Sequence, residues 1–205
     1  MRRIVILLLG LVIVFIIHTR TADTQTVGEC PALVQGALQR VEQLCASTGR
    51  NQICYGNSVL VAEPRAEISD VLLSFPGDIT EIENISRVML FPMDIDLGQW
   101  GVALMRIQAN LPDTLPGQNV LFLLFGDVEL SPELPQRVSA DSPAAVNAFR
   151  LRTGVSAPRC DAAPPDGLII QTPEGAGRIE LTLNGVDLSI GSTVYFQAQE
   201  NGYLR

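Results

Sequence analysis

Four cysteines restrict this chain of 205 residues more than any other feature: Cys30, Cys45, Cys54 and Cys160. A zinc site built only from cysteines normally uses two tight C-x(2–4)-C pairs, and neither spacing occurs here. A catalytic thiol needs an activating neighbour, and the only histidine, His18, lies in an N-terminal apolar segment. The even number of cysteines therefore predicts two disulfide bonds.

A helix between the first two cysteines limits how they can pair. Apolar residues recur in residues 31–46 at the spacing of one helical face, and Gly49 follows where a helix would end. At ~1.5 Å of rise per residue, Cys30 and Cys45 lie about 22 Å apart, far beyond bonding distance. A bond between Cys30 and Cys45 is therefore excluded if the helix is continuous.

Two pairings remain open: Cys45–Cys54 with Cys30–Cys160, or Cys30–Cys54 with Cys45–Cys160. We favour the first slightly, because Gly49 allows the chain to turn back beside the helix end. Gly49, Gly56 and Asn57 are predicted to form turns, and Arg50 and Asn51 to cap or bond the backbone.

The N-terminus has the layout of an export signal. Two arginines precede an apolar run of 14 residues, 4–17, and polar residues follow it. The run is shorter than the roughly 20 residues that span a bilayer comfortably. We therefore predict that residues 1–22 are a signal peptide or an N-terminal membrane anchor, and that the rest of the chain is extracytoplasmic.

The composition excludes several kinds of chemistry. All 14 basic residues are arginine, so Schiff-base, Walker-type and Ser-Lys chemistry is excluded. With His18 as the only imidazole, a folded domain has no histidine relay or ligand. Past Ala22, 11 arginines face 22 carboxylates, which argues against binding to nucleic acid or anionic lipid. We predict no enzyme activity, catalytic residue, cofactor or metal.

Most of the remaining chain has strand character. Strands are predicted in residues 57–62, 79–90 and 100–109. Pro64 ends the first of them, and residues 71–75 lead into a predicted turn at 76–78. The run VLFLLF, residues 120–125, predicts a central strand buried on both faces. Residues 131–145 and 155–166 are predicted as loops, and 147–152 as a short strand.

A hairpin is predicted near the C-terminus. In RIELTLNGVDLSIG, Asn184 and Gly185 form the strongest two-residue hairpin signal. The apolar residues on either side then pair on one face: Leu183 with Val186, Leu181 with Leu188, and Ile179 with Ile190. A further strand is predicted in residues 193–198.

The predicted fold is mainly β with one N-terminal helix (α+β). A disulfide-stapled, β-sandwich-like domain is expected in residues 23–155, a Pro-rich linker in 156–166 and a partial β module in 167–205. A second Asn-Gly pair, at residues 201–202, precedes only three further residues. We therefore expect the module to be truncated at Arg205.

Residues 168–198 resemble the start of a FecR-type domain. The match lies in Thr172-Pro173-Glu174-Gly175, in Asn184-Gly185 and in Gly191-Ser192-Thr193. The resemblance implies an extracytoplasmic β module, of a family in which some members sense or transmit signals. Residues 30–57, with WGVALMRIQANLP and LLFGDVEL, resemble the N-terminal region of uncharacterised exported bacterial proteins. That second resemblance implies no catalytic residues.

Three further patterns are given structural interpretations. Asp94, Asp96 and Gly98 lack the remaining ligands of an EF-hand loop, so a solvated turn is predicted. Asp78, Glu81 and Glu83 supply carboxylates of the kind that glycosidases pair, but the aromatic platforms of such sites are missing. Residues 84–86 match a glycosylation sequon.

The sequence thus predicts an exported, non-enzymatic protein that acts through contacts with a protein or cell-envelope component. The FecR-like resemblance implies the role of a sensor or scaffold module. Its only membrane contact would be the N-terminal segment. The alternative is an extracellular module that binds a small ligand or polysaccharide. That alternative requires an exposed aromatic surface formed by Tyr55, Phe91 and Trp100.

Overall fold

The computed structural model describes residues 29–66, 68, 73–108, 119–133, 146–154, 160–175, 177–198 and 204. These residues form one α-helix, one short 3-10 helix (Ile82–Asn84) and twelve strands. The elements are α1 (Glu29–Leu44), β1 (Gln52–Asn57), β2 (Leu60–Pro64), β3 (Ile79–Glu81), β4 (Ile85–Leu90), β5 (Val102–Gln108), β6 (Asn119–Phe125), β7 (Val128–Glu133), β8 (Ala148–Thr153), β9 (Gly167–Gln171), β10 (Ile179–Leu183), β11 (Val186–Ile190) and β12 (Thr193–Phe196).

The strands form two six-stranded sheets. Sheet A has the order β12-β9-β6-β5-β1-β3, and sheet B the order β11-β10-β8-β7-β4-β2. Neighbouring strands are antiparallel except for β8 and β10, which are parallel. The predicted mainly β, sandwich-like fold with one N-terminal helix is confirmed.

Two apolar cores lie on the two faces of sheet A. The first core fills the space between the sheets and draws on Phe122 of β6 and Phe149 of β8, whose ring centroids lie 5.2 Å apart. The second core lies between α1 and the outer face of sheet A, and it contains Val41, Trp100 and Phe125. Helix, sheet A and sheet B therefore form three layers.

Strand β6 shows why sheet A is apolar on both sides. Successive side chains of a strand point to opposite faces, so Phe122 and Leu124 enter the first core while Leu123 and Phe125 face the second. Phe122, Leu124 and Phe125 are buried, and Leu123 is half-buried. The predicted central strand is confirmed, with its outer face only partly covered.

Strand β1 is the main element that differs from the sequence expectation. Residues 52–57 form a buried strand between β3 and β5, not a turn. Gly56 lies there because α1 passes close by: a Cβ atom would meet Val41 Cγ2 at 2.5 Å. Asn57 is buried, accepts a hydrogen bond from Arg40 (2.7 Å) and donates one to the Trp100 carbonyl (2.8 Å). Helix packing, which the local sequence does not encode, therefore explains both residues.

Other strands also begin or end at residues that differ from the predicted ones. Strand β7 continues through Pro132 to Glu133, into the predicted loop, because Pro132 pairs with β8 and lies beyond the residues at which β7 pairs with β4. Strand β2 begins at Leu60, after a corner where Val59 has φ 60°. The predicted short strand at 147–152 is confirmed as β8, and that at 193–198 as β12.

The predicted C-terminal hairpin is confirmed in register. Strands β10 and β11 pair Leu183 with Val186, Leu181 with Leu188 and Ile179 with Ile190. Asn184 and Gly185 both have positive φ, 53° and 76°, as the tight turn requires.

Residues after the predicted linker contribute to both sheets. Strand β9 pairs with β6 in sheet A, and β10 pairs with β8 in sheet B. The predicted boundary at 156–166 therefore does not separate two sets of strands. Strands β9 and β10, which follow this boundary, pair with β6 and β8, which precede it. Residues 1–22 and 201–203 lie outside the described residues, and Leu204 forms a β-bridge with Ala198.

Candidate functional site

All four thiols are used in disulfides. Cys30 pairs with Cys160 and Cys45 with Cys54, with Cα–Cα distances of 5.8 and 5.7 Å. This is the pairing that the turn at Gly49 favours. Cys45 lies directly after α1 and Cys54 lies in β1, so one bond attaches the end of the helix to sheet A. The other attaches its start to the segment before β9.

The predicted aromatic surface is not present. Tyr55 is 7% exposed and belongs to the first core, where its hydroxyl accepts a hydrogen bond from the Leu60 amide (3.2 Å). Trp100 is 1% exposed and belongs to the second core, with its ring 5.8 Å from that of Phe125. Only Phe91, 42% exposed, faces solvent. The prediction of a contact surface formed by Tyr55, Phe91 and Trp100 is wrong because the two buried rings lie on opposite faces of sheet A.

The carboxylates singled out in the sequence bond to nearby groups. Asp78 accepts a hydrogen bond from the Phe75 amide (2.8 Å), and Glu81 accepts one from the Gln52 side chain (2.6 Å). Asp94 accepts one from the Leu97 amide at 3.0 Å, within a turn closed by a bridge between Asp94 and Gln99. These contacts are those of turn and edge residues.

A buried carboxyl group lies at one end of the sandwich, and no sequence pattern indicated it. Asp166 is 4% exposed and lies beneath Gly126, where an added Cβ would meet its Oδ1 at 1.8 Å. Burial raises the pKa of Asp166, the Asp127 backbone N–H opposes this by donating a hydrogen bond, and the Asp127 carboxylate adds to the rise. Asp166 is thus a desolvated acid held between two turns.

Tyr195 covers the same end of the sandwich from β12. Its hydroxyl donates to the carbonyls of Pro165 (2.8 Å) and Asp166 (3.1 Å), and its ring stacks on Phe125. Burial and, to a smaller degree, the Asp166 charge raise the pKa of Tyr195 to about 12. At neutral pH the hydroxyl therefore remains a donor and ties β12 to the Asp166 segment.

The outer face of sheet B carries a row of alternating charges. Arg87 of β4 bonds to Glu63 of β2 (2.6 Å) and to Glu129 of β7 (3.3 Å), and Glu129 also bonds to Arg152 of β8 (2.9 Å). Burial opposes ionisation of Glu129, but Arg152 and Arg87 outweigh it and lower its pKa. The row joins four neighbouring strands and neutralises much of its own charge.

An open cleft of about 570 Å³ brings together two parts of the FecR-like resemblance. Its described walls are residues 172–175, 177 and 178, between β9 and β10, and residues 191–193 at the turn between β11 and β12. The amide and hydroxyl of Thr172 lie 3.4 Å from the Ser192 carbonyl and donate to it. Segments that are 20 residues apart thus form one surface.

Arg178 closes one side of this cleft. Its guanidinium donates to the carbonyl (2.5 Å) and hydroxyl (2.9 Å) of Ser189 on β11. The Ser189 hydroxyl in turn donates to Glu180 (2.6 Å). Since β11 is an edge of sheet B, Arg178 occupies a carbonyl that would otherwise be open to an added strand.

Within the described part of the chain, no group of three or more His, Cys, Asp or Glu side chains is placed to hold a metal ion. The one described α-helix is not long and apolar enough to cross a membrane.

Comparison with known proteins returned no match: no protein-family model, no curated protein and no solved structure is similar to this chain.

Proposed function

We propose that this chain is an exported, non-enzymatic protein that acts by contact with another protein or a cell-envelope component, as a sensor or scaffold module of FecR-like type. The observation that carries the proposal is the pair of disulfides that fasten both ends of α1 to the sandwich. Such bonds form and persist in oxidising, extracytoplasmic compartments.

The side chains available support the proposed non-enzymatic role. The chain has no lysine, its single histidine is His18, and all four thiols are in disulfides. The arginines of the charge row are bonded to glutamates in pairs that connect strands. These charged groups thus connect strands of the sandwich.

The cleft between residues 172–175, 177 and 178 and the turn at Gly191 is the proposed contact region. It combines two segments of the FecR-like resemblance, and it lies at the ends of strands from both sheets. Glu174 is exposed on its wall, which places a charged side chain within reach of a partner.

Export is tested by trapping thiols in the native cell with a membrane-permeant alkylating reagent before lysis. An exported protein shows no labelled cysteine until it is reduced, after which all four are labelled. Labelling of the cysteines without reduction would contradict an oxidising location.

Contact is tested by placing a photo-crosslinking amino acid at position 174 of the chain in its native cell. The matched control places the same group at Arg150, which is exposed on the outer face of sheet B. A discrete crosslinked species from position 174 and none from position 150 supports the proposal. No species from position 174, or the same species from both, rejects the cleft as the contact region.

A further inference from the structure

Helix α1 belongs to only one of the two cores. The first core, between the sheets, contains no residue of α1 and no cysteine. The second core contains all four cysteines together with Ala37 and Val41 of the helix. Detachment of the helix would therefore open the second core and leave the contacts between the sheets in place.

The helix packs on sheet A with few fully buried large side chains, since Leu33 and Val34 are only half-buried against the second core. Its fully buried side chains apart from cysteine are the small residues Ala37 and Val41. Its larger residues Leu38 and Leu44 are 40% and 38% exposed. A 16-residue helix is marginal by itself in water, so its place on the sheet depends on its covalent attachments together with this packing and the Arg40–Asn57 hydrogen bond (2.7 Å).

The two attachments differ in exposure. Cys30 is 9% exposed, whereas Cys45 and Cys54, at 1% and 0%, are inaccessible. Cys160, the partner of Cys30, is 2% exposed. Because thiol–disulfide exchange requires that a thiolate reach a sulfur atom, an incoming reductant meets the bond at Cys30 first.

We propose that Cys30–Cys160 is a reducible attachment: its reduction releases the start of α1 from sheet A and uncovers the second core around Trp100. Cys45–Cys54 remains and holds the end of the helix, and the sandwich stays folded. This goes beyond the proposed function, since it gives the module two states controlled by thiols.

The exchange involves two electrons. One thiolate of a dithiol reductant attacks the Cys30 sulfur, forms a mixed disulfide and expels the Cys160 thiolate, which takes a proton. The second thiol of the reductant then attacks the mixed disulfide, closes the reductant's own disulfide and releases Cys30 as a thiol. The reductant is oxidised by the two electrons that the protein gains.

The first test is graded reduction of the folded, oxidised chain with dithiothreitol, followed by alkylation and peptide mass analysis. Cys30 and Cys160 should be labelled before Cys45 and Cys54. At that stage Trp100, the only tryptophan, should shift its emission to the red and become accessible to acrylamide, while the far-ultraviolet β signal is unchanged.

Hydrogen exchange on the same sample locates the change. Amides of α1 should exchange roughly tenfold faster or more, because local opening now exposes them, while those of β6 keep their protection. Equal labelling of all four cysteines, loss of the β signal in the same step, or a helix that stays protected would each overturn the proposal.

Cysteine variants test the release of α1 from sheet A without any reducing agent. Replacing both Cys30 and Cys160 by serine should reproduce the released state, and replacing both Cys45 and Cys54 should not. Gly56→Ala weakens the fit of α1, because its Cβ would meet Val41 at 2.5 Å, and should expose Trp100 at a lower concentration of dithiothreitol than the parent chain requires. The control Gly36→Ala lies on the same helix with nothing within 4 Å and should behave like the parent chain. Exposure of Trp100 in the Cys45 and Cys54 double variant while Cys30–Cys160 is intact would show that the other bond holds the helix, and would overturn the proposal.

Discussion

The side chain of Asn184 bonds to both backbone groups of Leu151. Its Oδ1 accepts from the Leu151 amide at 2.7 Å, and its Nδ2 donates to the Leu151 carbonyl at 2.9 Å. Strand β10 pairs with β8 only through Thr182 and Leu183. The amide of Asn184 thus extends the parallel ladder from the hairpin turn.

Replacement of Asn184 should therefore lower the free energy of unfolding by more than replacement of a turn residue usually does. Asn184→Gly keeps the positive φ but leaves the Leu151 groups unpaired, and we expect a loss of about 2 kcal/mol in the free energy of unfolding. Asn184→Ala should lose about 1 kcal/mol more from backbone strain. Urea unfolding measures both; a glycine variant as stable as the parent would show that the bonds to Leu151 contribute nothing.

Burial of Asp166 predicts an unusual pH dependence. Its pKa is raised in the folded state, so its ionisation opposes folding. The penalty is absent below the unfolded pKa of about 3.9, grows as pH rises and is complete above the folded pKa. Asp166→Asn should therefore stabilise the protein at neutral pH, with a gain that vanishes near pH 3.

Unfolding midpoints measured across this pH range show whether Asp166→Asn stabilises or destabilises the protein at each pH. Asp161→Asn, an exposed residue of the same segment, is the matched control and should show no gain. If Asp166→Asn destabilises at neutral pH, the hydrogen bond from the Asp127 N–H outweighs the burial of the carboxylate, and the account of its raised pKa is wrong.

The charge row on sheet B should contribute modestly to the free energy of unfolding. Glu129→Gln removes the carboxylate between Arg87 and Arg152, and exposed pairs of this kind are worth about 0.2–1 kcal/mol. Because the pKa of Glu129 is lowered, its contribution is present at neutral pH and is lost as pH falls.

Chemical unfolding at low and at high salt separates this effect from packing. The cost of Glu129→Gln should shrink at about 1 M salt, where the Debye length is about 3 Å. Glu133→Gln, whose partner Arg150 is 78% exposed, should cost less at either salt. A cost that salt does not reduce would assign the Glu129 effect to packing.

The buried Trp100 and the exposed Phe91 should differ in how much each contributes to the stability of the protein. Trp100→Ala removes a fully buried ring and should destabilise by about 3–5 kcal/mol, enough to threaten folding. Phe91→Ala should stay within about 0.5 kcal/mol. Thermal unfolding of the two variants compares them directly, and a tolerated Trp100→Ala would contradict the second core.

Local patterns were sufficient for several parts of this fold. The turn residues Asn184 and Gly185, with apolar alternation on both sides, determine the register of β10 and β11. The helical pattern between Cys30 and Cys45 is also local, and its length excludes their direct bond. A short stretch of chain contains all the information that these features need.

Tertiary structure decided the rest. Gly56 looks like a turn residue until Val41 of α1 is seen against it, and Tyr55 and Trp100 take opposite faces of sheet A only once the sheet exists. Asp166 looks like any loop acid, yet packing beneath Gly126 buries it. Turn signals and strand periodicity act over a few residues, whereas burial depends on which distant segments meet. The sequence alone therefore determined the helix, the hairpin and the need for disulfides, and only the packed layers determined which side chains are left at the surface.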